Sequence, residues 1–118
     1  MADAAQDQLA GADASFGLSP TATALLRDVL AAHPGIQRAI IYGSRAQGNF
    51  RPGSDIDLAL DAPDLAFDEF LRIEQALDDL MLPYRIDLSL LTHIDNPALR
   101  EHIARVGRPL WQAPHLTH

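Results

Sequence analysis

The sequence contains no cysteine and no lysine. Without cysteine, the chain has no disulfide, no thiol nucleophile and no cysteine-based zinc site. Without lysine, it has neither a P-loop lysine nor a Schiff-base lysine, which excludes two large classes of enzyme. All nine basic residues are arginine, and 16 acidic residues bring the net charge to -7. Because the acidic surplus is spread along the chain, we expect no binding of long nucleic acids through a basic surface.

Long hydrophobic runs are also missing. No segment approaches the roughly 18 apolar residues that a membrane-spanning helix needs, and the N-terminus lacks a basic start followed by an apolar stretch. We therefore expect no membrane association and a cytoplasmic location. The length of 118 residues corresponds to one domain, which is large enough to bury a core without disulfides.

The composition divides the chain into three parts. Residues 1–17 are rich in Ala, Asp, Gln and Gly, which predicts a mobile N-terminal segment. Residues 18–112 carry the periodic apolar pattern of a folded domain, and residues 113–118 form a C-terminal tail that contains proline. We expect Trp111 to anchor this tail by packing on the domain.

Apolar periodicity predicts helices over Pro20 to His33 and over Phe67 to Leu80, and a last helix that starts at Pro97. Ser19 is the predicted N-cap of the first helix, Asp95 or Asn96 caps the last, and Gly107 ends it. Three strands are predicted; they cover Ile36 to Tyr42, Asp55 to Leu60 and Tyr84 to Leu90. This order gives a small sheet covered by helices, and the pattern leaves the relative direction of the first two strands open.

The second predicted strand contains an Asp-x-Asp pair. Because side chains alternate between the two faces of a strand, Asp55 and Asp57 project together while the apolar residues between and after them point into the core. Two carboxylates on one face form a ligand pair for a hard cation. An isolated pair of this kind is more often a solvated face of an edge strand.

A third carboxylate follows in the next predicted strand, where Asp87 lies on the face opposite Ile86 and Leu88. If the two strands are close, three carboxylates converge and repel one another unless a cation binds. Magnesium fits such a site because it takes one or two carboxylates and completes its octahedral shell with water and phosphate oxygens. The alternative for Asp87 is an exposed strand position.

The turn between the first two strands favours phosphate binding. Gly43 and Ser44 follow a buried strand and offer backbone N–H groups without bulky side chains in front of them. Arg45 and Arg51 could contact triphosphate oxygens or remain solvated. Ser54 could donate to a phosphate or satisfy the backbone of the turn. The five histidines show no metal-ligand spacing and are interpreted as surface or capping residues.

Three segments together resemble the signature of the minimal nucleotidyltransferases of the DNA polymerase beta superfamily; they are residues 43–48 (GSRAQG), 54–58 (SDIDL) and 85–88 (RIDL). The resemblance covers about residues 20–110. It implies an α+β fold, a small mixed sheet flanked by helices. Gln47 stands where the family usually has a basic residue, so we expect no basic side chain at that position to bind the triphosphate.

The resemblance also implies the roles of the site residues. Asp55 and Asp57 would hold two Mg²⁺ ions, with Mn²⁺ as a substitute, and Asp87 would complete the site for the metal that activates the acceptor hydroxyl. Gly43 and Ser44 would hold the terminal phosphates of ATP or another nucleoside triphosphate. The family's reaction is attack of a hydroxyl on the α-phosphate with loss of pyrophosphate, which suits a two-metal site.

Small members of this family often act as the antitoxin of a helical HEPN ribonuclease toxin, and some transfer AMP to a toxin tyrosine. We therefore expect a protein nucleotidyltransferase whose site is completed by a HEPN-type partner or by a second copy of the chain. One alternative is a nucleotide-binding antitoxin that acts by contact without catalysis. Another is a nucleotidyltransferase for a small hydroxylated molecule such as an antibiotic.

Overall fold

The computed structural model of the chain describes residues 15–114. Residues 1–14 of the predicted mobile segment and residues 115–118 of the predicted tail lie outside the described residues, and the boundaries assigned to those two parts remain predictions. Within residues 15–114 the chain forms four α-helices and four strands. The helices are α1 (Pro20–Ala31), α2 (Ser44–Gln47), α3 (Phe67–Asp78) and α4 (Pro97–Val106). The strands are β1 (Arg38–Tyr42), β2 (Ile56–Asp61), β3 (Ile86–Leu90) and β4 (Arg108–Gln112).

The four strands form one mixed sheet in the order β3-β2-β1-β4. Strand β1 pairs antiparallel with both β2 and β4, which answers the question of strand direction that the sequence pattern left open. Strands β2 and β3 run parallel. A parallel pair needs a long crossover, and α3 supplies it. The α+β fold with a mixed sheet flanked by helices is therefore confirmed.

The two faces of the sheet are covered differently. One face packs against α1 and α3, and alternate strand residues such as Ile41, Leu58 and Leu88 belong to this main core. The other face carries a smaller cluster in which Tyr42 and Ala59 pack with Ile103 of α4. Because the period of a strand is two, Asp57 and Asp87 fall on the same face as this smaller cluster.

The predicted helix caps are confirmed. The Ser19 hydroxyl accepts a hydrogen bond from the Ala22 N–H at 3.0 Å, with Pro20 in the first helical position. The side chain of Asn96, and not that of Asp95, caps α4 by accepting from the Ala98 N–H at 2.9 Å. These bonds satisfy N–H groups that a helix start leaves without partners.

Several predicted boundaries were wrong by one or two residues. Helix α1 ends at Ala31 and not at His33, because the next two N–H groups bond to carbonyls only three residues back. Helix α3 ends at Asp78 and not at Leu80, because the N–H groups of Leu80 and Met81 bond to carbonyls only three residues back. Three strands also start later than predicted, at Arg38, Ile56 and Ile86.

Two elements were missed entirely. Helix α2 is a single turn, too short to show periodicity. Strand β4 contains Pro109, and a proline lowers the strand signal although an edge strand tolerates it. Trp111 lies in this strand and packs partly buried against the main core, in agreement with its predicted anchoring role. In residues 15–114 no helix combines the length and the apolar character needed to cross a membrane.

Candidate active site

The acidic residues meet where β1 ends and β2 and β3 begin. In the parallel pair Asp57 stands directly beside Asp87, and in the antiparallel pair Asp57 stands opposite Tyr42. Residues in register on neighbouring strands project to the same face, so these three side chains share one surface. Asp55 lies just before β2 and is exposed, like Asp87, whereas Asp57 is half-buried.

The electrostatics of the site follow from this arrangement. The pKa of Asp57 is raised, first by burial, then by the negative charge of Asp87, and then by that of Asp55; the nearby His102 partly counteracts the rise. The pKa of the Tyr42 hydroxyl is also raised, by burial first and by Asp57 next. A carboxylate with a raised pKa is one whose negative charge is poorly compensated. The site therefore attracts cations.

The turn after β1 lies against the carboxylate of Asp57. Gly43 has a positive φ of 73°, and a Cβ at this position would collide with Oδ2 of Asp57. Only glycine tolerates both conditions. Ser44, half-buried, starts the single turn of α2, and the Gln47 N–H donates back to the Gly43 carbonyl at 3.1 Å. The glycine backbone is thus held close to the acidic pair, as the phosphate-turn interpretation requires.

Arg45 is almost completely buried, with 2% of its surface exposed. Its guanidinium donates to the carbonyls of Phe16 at 2.9 Å, Ser54 at 2.8 Å and Pro52 at 3.3 Å. It also lies over the ring of Tyr84, 4.8 Å from the centroid. These bonds tie the loop that precedes β2 to the segment that precedes α1. A contact between Arg45 and triphosphate oxygens would require breaking them, and the geometry favours a structural role.

Ser54 makes the backbone contact that is one of the two roles predicted for it. Its hydroxyl accepts a hydrogen bond from the Arg51 N–H at 2.8 Å. This bond closes the turn that leads into Asp55, so the side chain satisfies the loop backbone. Arg51 and Gln47 are exposed. Unlike the buried guanidinium of Arg45, the Arg51 side chain is therefore open to solvent.

Two residues of the site, Tyr42 and His102, were not identified from the sequence. The Gly43 N–H donates to Nε2 of His102 at 3.2 Å. The His102 ring meets the Tyr42 ring edge-on, with centroids 6.2 Å apart. The sequence predicts a surface or capping position for His102, because the histidines have no i, i+4 pairing with one another and no clear metal-ligand spacing. Its position next to Ile103, on the buried side of α4, was the one available signal.

The chemistry of the donor set fits a divalent cation in part. Carboxylate oxygens are the ligands that Mg²⁺ prefers, and the raised pKa of Asp57 reflects an uncompensated negative charge. Yet among residues 15–114 no group of three or more acidic or histidine side chains is close enough to hold a metal as it stands. The residues therefore fit an open site, in which one or two carboxylates share a cation with water and substrate phosphates, and not a closed cage of three.

The comparison with protein families agrees with this geometry. The family model described as polymerase beta, nucleotidyltransferase matches residues 25–115. This range contains the Gly43 turn and all three aspartates. No curated protein matches the sequence.

Solved structures similar to this chain include several toxin–antitoxin complexes. A toxin–antitoxin structure with AMP-PNP is 29% identical with a TM-score of 0.57, and the match covers 78% of this chain and 71% of that one. A variant MntA–HpeT toxin–antitoxin structure is 30% identical with a TM-score of 0.55, covering 78% and 70%. A tri-AMPylated HEPN toxin from Shewanella oneidensis in complex with its MNT antitoxin gives 22% identity and a TM-score of 0.58, covering 80% and 73%. At that last identity the likeness concerns the fold alone.

Proposed function

The chain belongs to the polymerase beta nucleotidyltransferase family, and from this premise we propose that it transfers a nucleoside monophosphate, AMP from ATP, to a hydroxyl group of a HEPN-type toxin. The observation that carries the proposal is the register of β2 and β3, which sets Asp57 beside Asp87 next to the glycine turn. Asp57 lies against the turn, and Asp87 is exposed to solvent. The first would serve the nucleotide and the second the acceptor.

The nucleotide side of the site consists of the turn and the first two carboxylates. Gly43 and Ser44 would hold the terminal phosphates through backbone N–H groups, and Arg51, exposed in the same loop, would reach a phosphate oxygen. Asp55 and Asp57 would hold Mg²⁺, or Mn²⁺ in its place. Bound there, the metal would neutralise charge on the phosphates and on the attacking oxygen.

The acceptor side is the exposed edge of the sheet at β3. Asp87 lies on this edge strand and is exposed. An acceptor hydroxyl held there would form a bond from its oxygen to the α-phosphorus, while the bond from phosphorus to the pyrophosphate oxygen breaks. The hydroxyl proton would pass to Asp87 or to water, and pyrophosphate would leave with its electron pair. No covalent intermediate on the protein is needed.

The partner is proposed from the size of the domain and from the similar structures. The site uses one small sheet, and no further domain is present in residues 15–114 to orient a second substrate. Orientation supplies much of the rate of a two-substrate reaction. A protein acceptor provides its own surface for this purpose. The similar solved structures include a toxin–antitoxin complex with AMP-PNP and an AMPylated HEPN toxin with its antitoxin.

Mass spectrometry of the chain co-expressed with the helical protein encoded beside it tests the proposal. We expect the partner to gain the mass of AMP on a tyrosine, serine or threonine, and to gain nothing when Asp55→Ala replaces the wild type. Asp64→Ala, which changes an exposed aspartate in the turn after β2, is the matched control and should label the partner normally. A partner that gains no mass with the wild type and is still silenced by Asp55→Ala would establish an antitoxin that acts by contact and would refute the transfer reaction.

A further inference from the structure

His102 is a residue of the site to which the proposed reaction gives no role. It lies on α4, where the following residue, Ile103, packs into the cluster beneath the sheet. Three neighbours locate its ring: the N–H of Gly43 at 3.2 Å, the ring of Tyr42 at 6.2 Å between centroids, and the charge of Asp57. The imidazole therefore lies beside the glycine turn, near Asp57.

The hydrogen bond with Gly43 makes Nε2 of His102 a hydrogen-bond acceptor. Because a backbone N–H can only donate, Nε2 of His102 must accept with its lone pair. An accepting atom thus occupies the backbone N–H of the glycine that lies against Asp57.

A phosphate oxygen bound at the same turn would need that donor. Because the phosphate oxygen and Nε2 of His102 are both acceptors, they repel each other when placed together. The two atoms therefore cannot occupy the Gly43 N–H at the same time. The ring must therefore leave the Gly43 N–H before a phosphate can take it. Rotation about the side-chain bonds of His102 achieves this, since the residue is only half-buried.

We propose that His102 competes with the nucleotide phosphate for the Gly43 N–H and thereby lowers the affinity of the site for nucleotide. The proposal rests on the proposed function, because it assumes that the phosphate binds at this turn. In the free protein the imidazole satisfies the turn, and in the complex the phosphate replaces it. His102 is a positioning residue in this scheme, since it acts through Gly43.

A purely supporting role for His102 predicts the opposite sign. If the ring only held the turn in shape, its removal would loosen the turn and weaken nucleotide binding. If the ring bound phosphate directly, its removal would also weaken binding. Competition is the one role for which removal of the ring tightens binding.

Titration of the full chain with AMP-PNP and Mg²⁺, followed by calorimetry, separates these roles. We expect His102→Ala to bind about three- to tenfold more tightly than wild type, which is the net worth of one neutral hydrogen bond. His102→Gln can offer a side-chain carbonyl to the Gly43 N–H and should stay close to wild type. The matched control is His93→Ala, which removes an exposed imidazole from the turn after β3, at the end of the strands away from Asp57 and Asp87.

If the wild type binds AMP-PNP and His102→Ala binds it equally well or more weakly, the competition is refuted and the proposed function stays intact. If neither wild type nor variant binds AMP-PNP, the nucleotide site itself is wrong. Nitrogen NMR of the wild type gives a second measurement that does not depend on folding of the variant. Addition of AMP-PNP and Mg²⁺ should abolish the hydrogen bond between the Gly43 N–H and Nε2 of His102, and its persistence in the complex would refute the inference.

Discussion

Replacement of Arg45 by alanine tests whether this residue stabilises the loop or grips the nucleotide. The buried guanidinium donates to the carbonyls of Phe16, Pro52 and Ser54. Hydrogen bonds to a charged group contribute roughly 1.5 to 3 kcal/mol each, and a buried carbonyl left without a partner costs about 1 to 3 kcal/mol. Since the carbonyls are only partly buried and water can reach some of them, we expect Arg45→Ala to lose about 3 to 5 kcal/mol of unfolding free energy.

Such a loss is a large part of the stability of a small domain, which is typically about 5 to 15 kcal/mol. It should lower the melting temperature by on the order of 15 °C. Urea unfolding followed by circular dichroism measures the free energy, and calorimetry measures the melting temperature. Arg45→Lys keeps the charge but lacks the planar fork that spans three carbonyls, so we expect it to recover only part of the loss.

Arg51→Ala is the matched control, because Arg51 lies in the same loop and is exposed. We expect its stability to stay within about 0.5 kcal/mol of wild type, while its affinity for AMP-PNP falls. If Arg45→Ala loses less than about 1 kcal/mol and its nucleotide affinity collapses, the structural interpretation of Arg45 is wrong. Arg45 would then be a ligand of the triphosphate, as the sequence pattern first suggested.

Two further predictions concern the carboxylates. Burial and the charges of Asp87 and Asp55 raise the pKa of Asp57, so the folded state disfavours the charged form of this carboxyl and loses stability as the pH rises above the ordinary aspartate pKa. We therefore expect Asp57→Asn to melt at a higher temperature than wild type near pH 7.5, and the difference to shrink under acidic conditions. A lower melting temperature of the variant at pH 7.5 would contradict this expectation. We expect Asp87→Asn to reduce turnover at least about 100-fold and to change the affinity for AMP-PNP less than about threefold, because Asp87 acts mainly in the transition state. Equal losses in the steady-state rate and in the affinity measured by calorimetry would show instead that Asp87 is a ligand of the bound nucleotide.

Much of the fold could be predicted from the sequence, because its signals are local. Ser19-Pro20 and Asn96-Pro97 place helix starts through bonds that span two or three residues. The alternation of apolar residues in β2 and β3 shows which side chains share a face, since the period of a strand is a property of the backbone. The order of glycine turn, acidic pair and late aspartate indicated the family, which the match over residues 25–115 shows.

Only the tertiary structure decided which side chains meet across the sheet. The register that sets Asp57 beside Asp87 depends on how two strands align whose paired residues are 30 positions apart in the chain, and alternation within each strand does not specify it. The role of Arg45 depends on carbonyls supplied by Phe16 and the loop before β2. His102 reaches Gly43 across 59 positions of sequence because α4 folds back over the sheet. Local sequence patterns carry no information on such distant pairs, since packing of the whole chain brings them together.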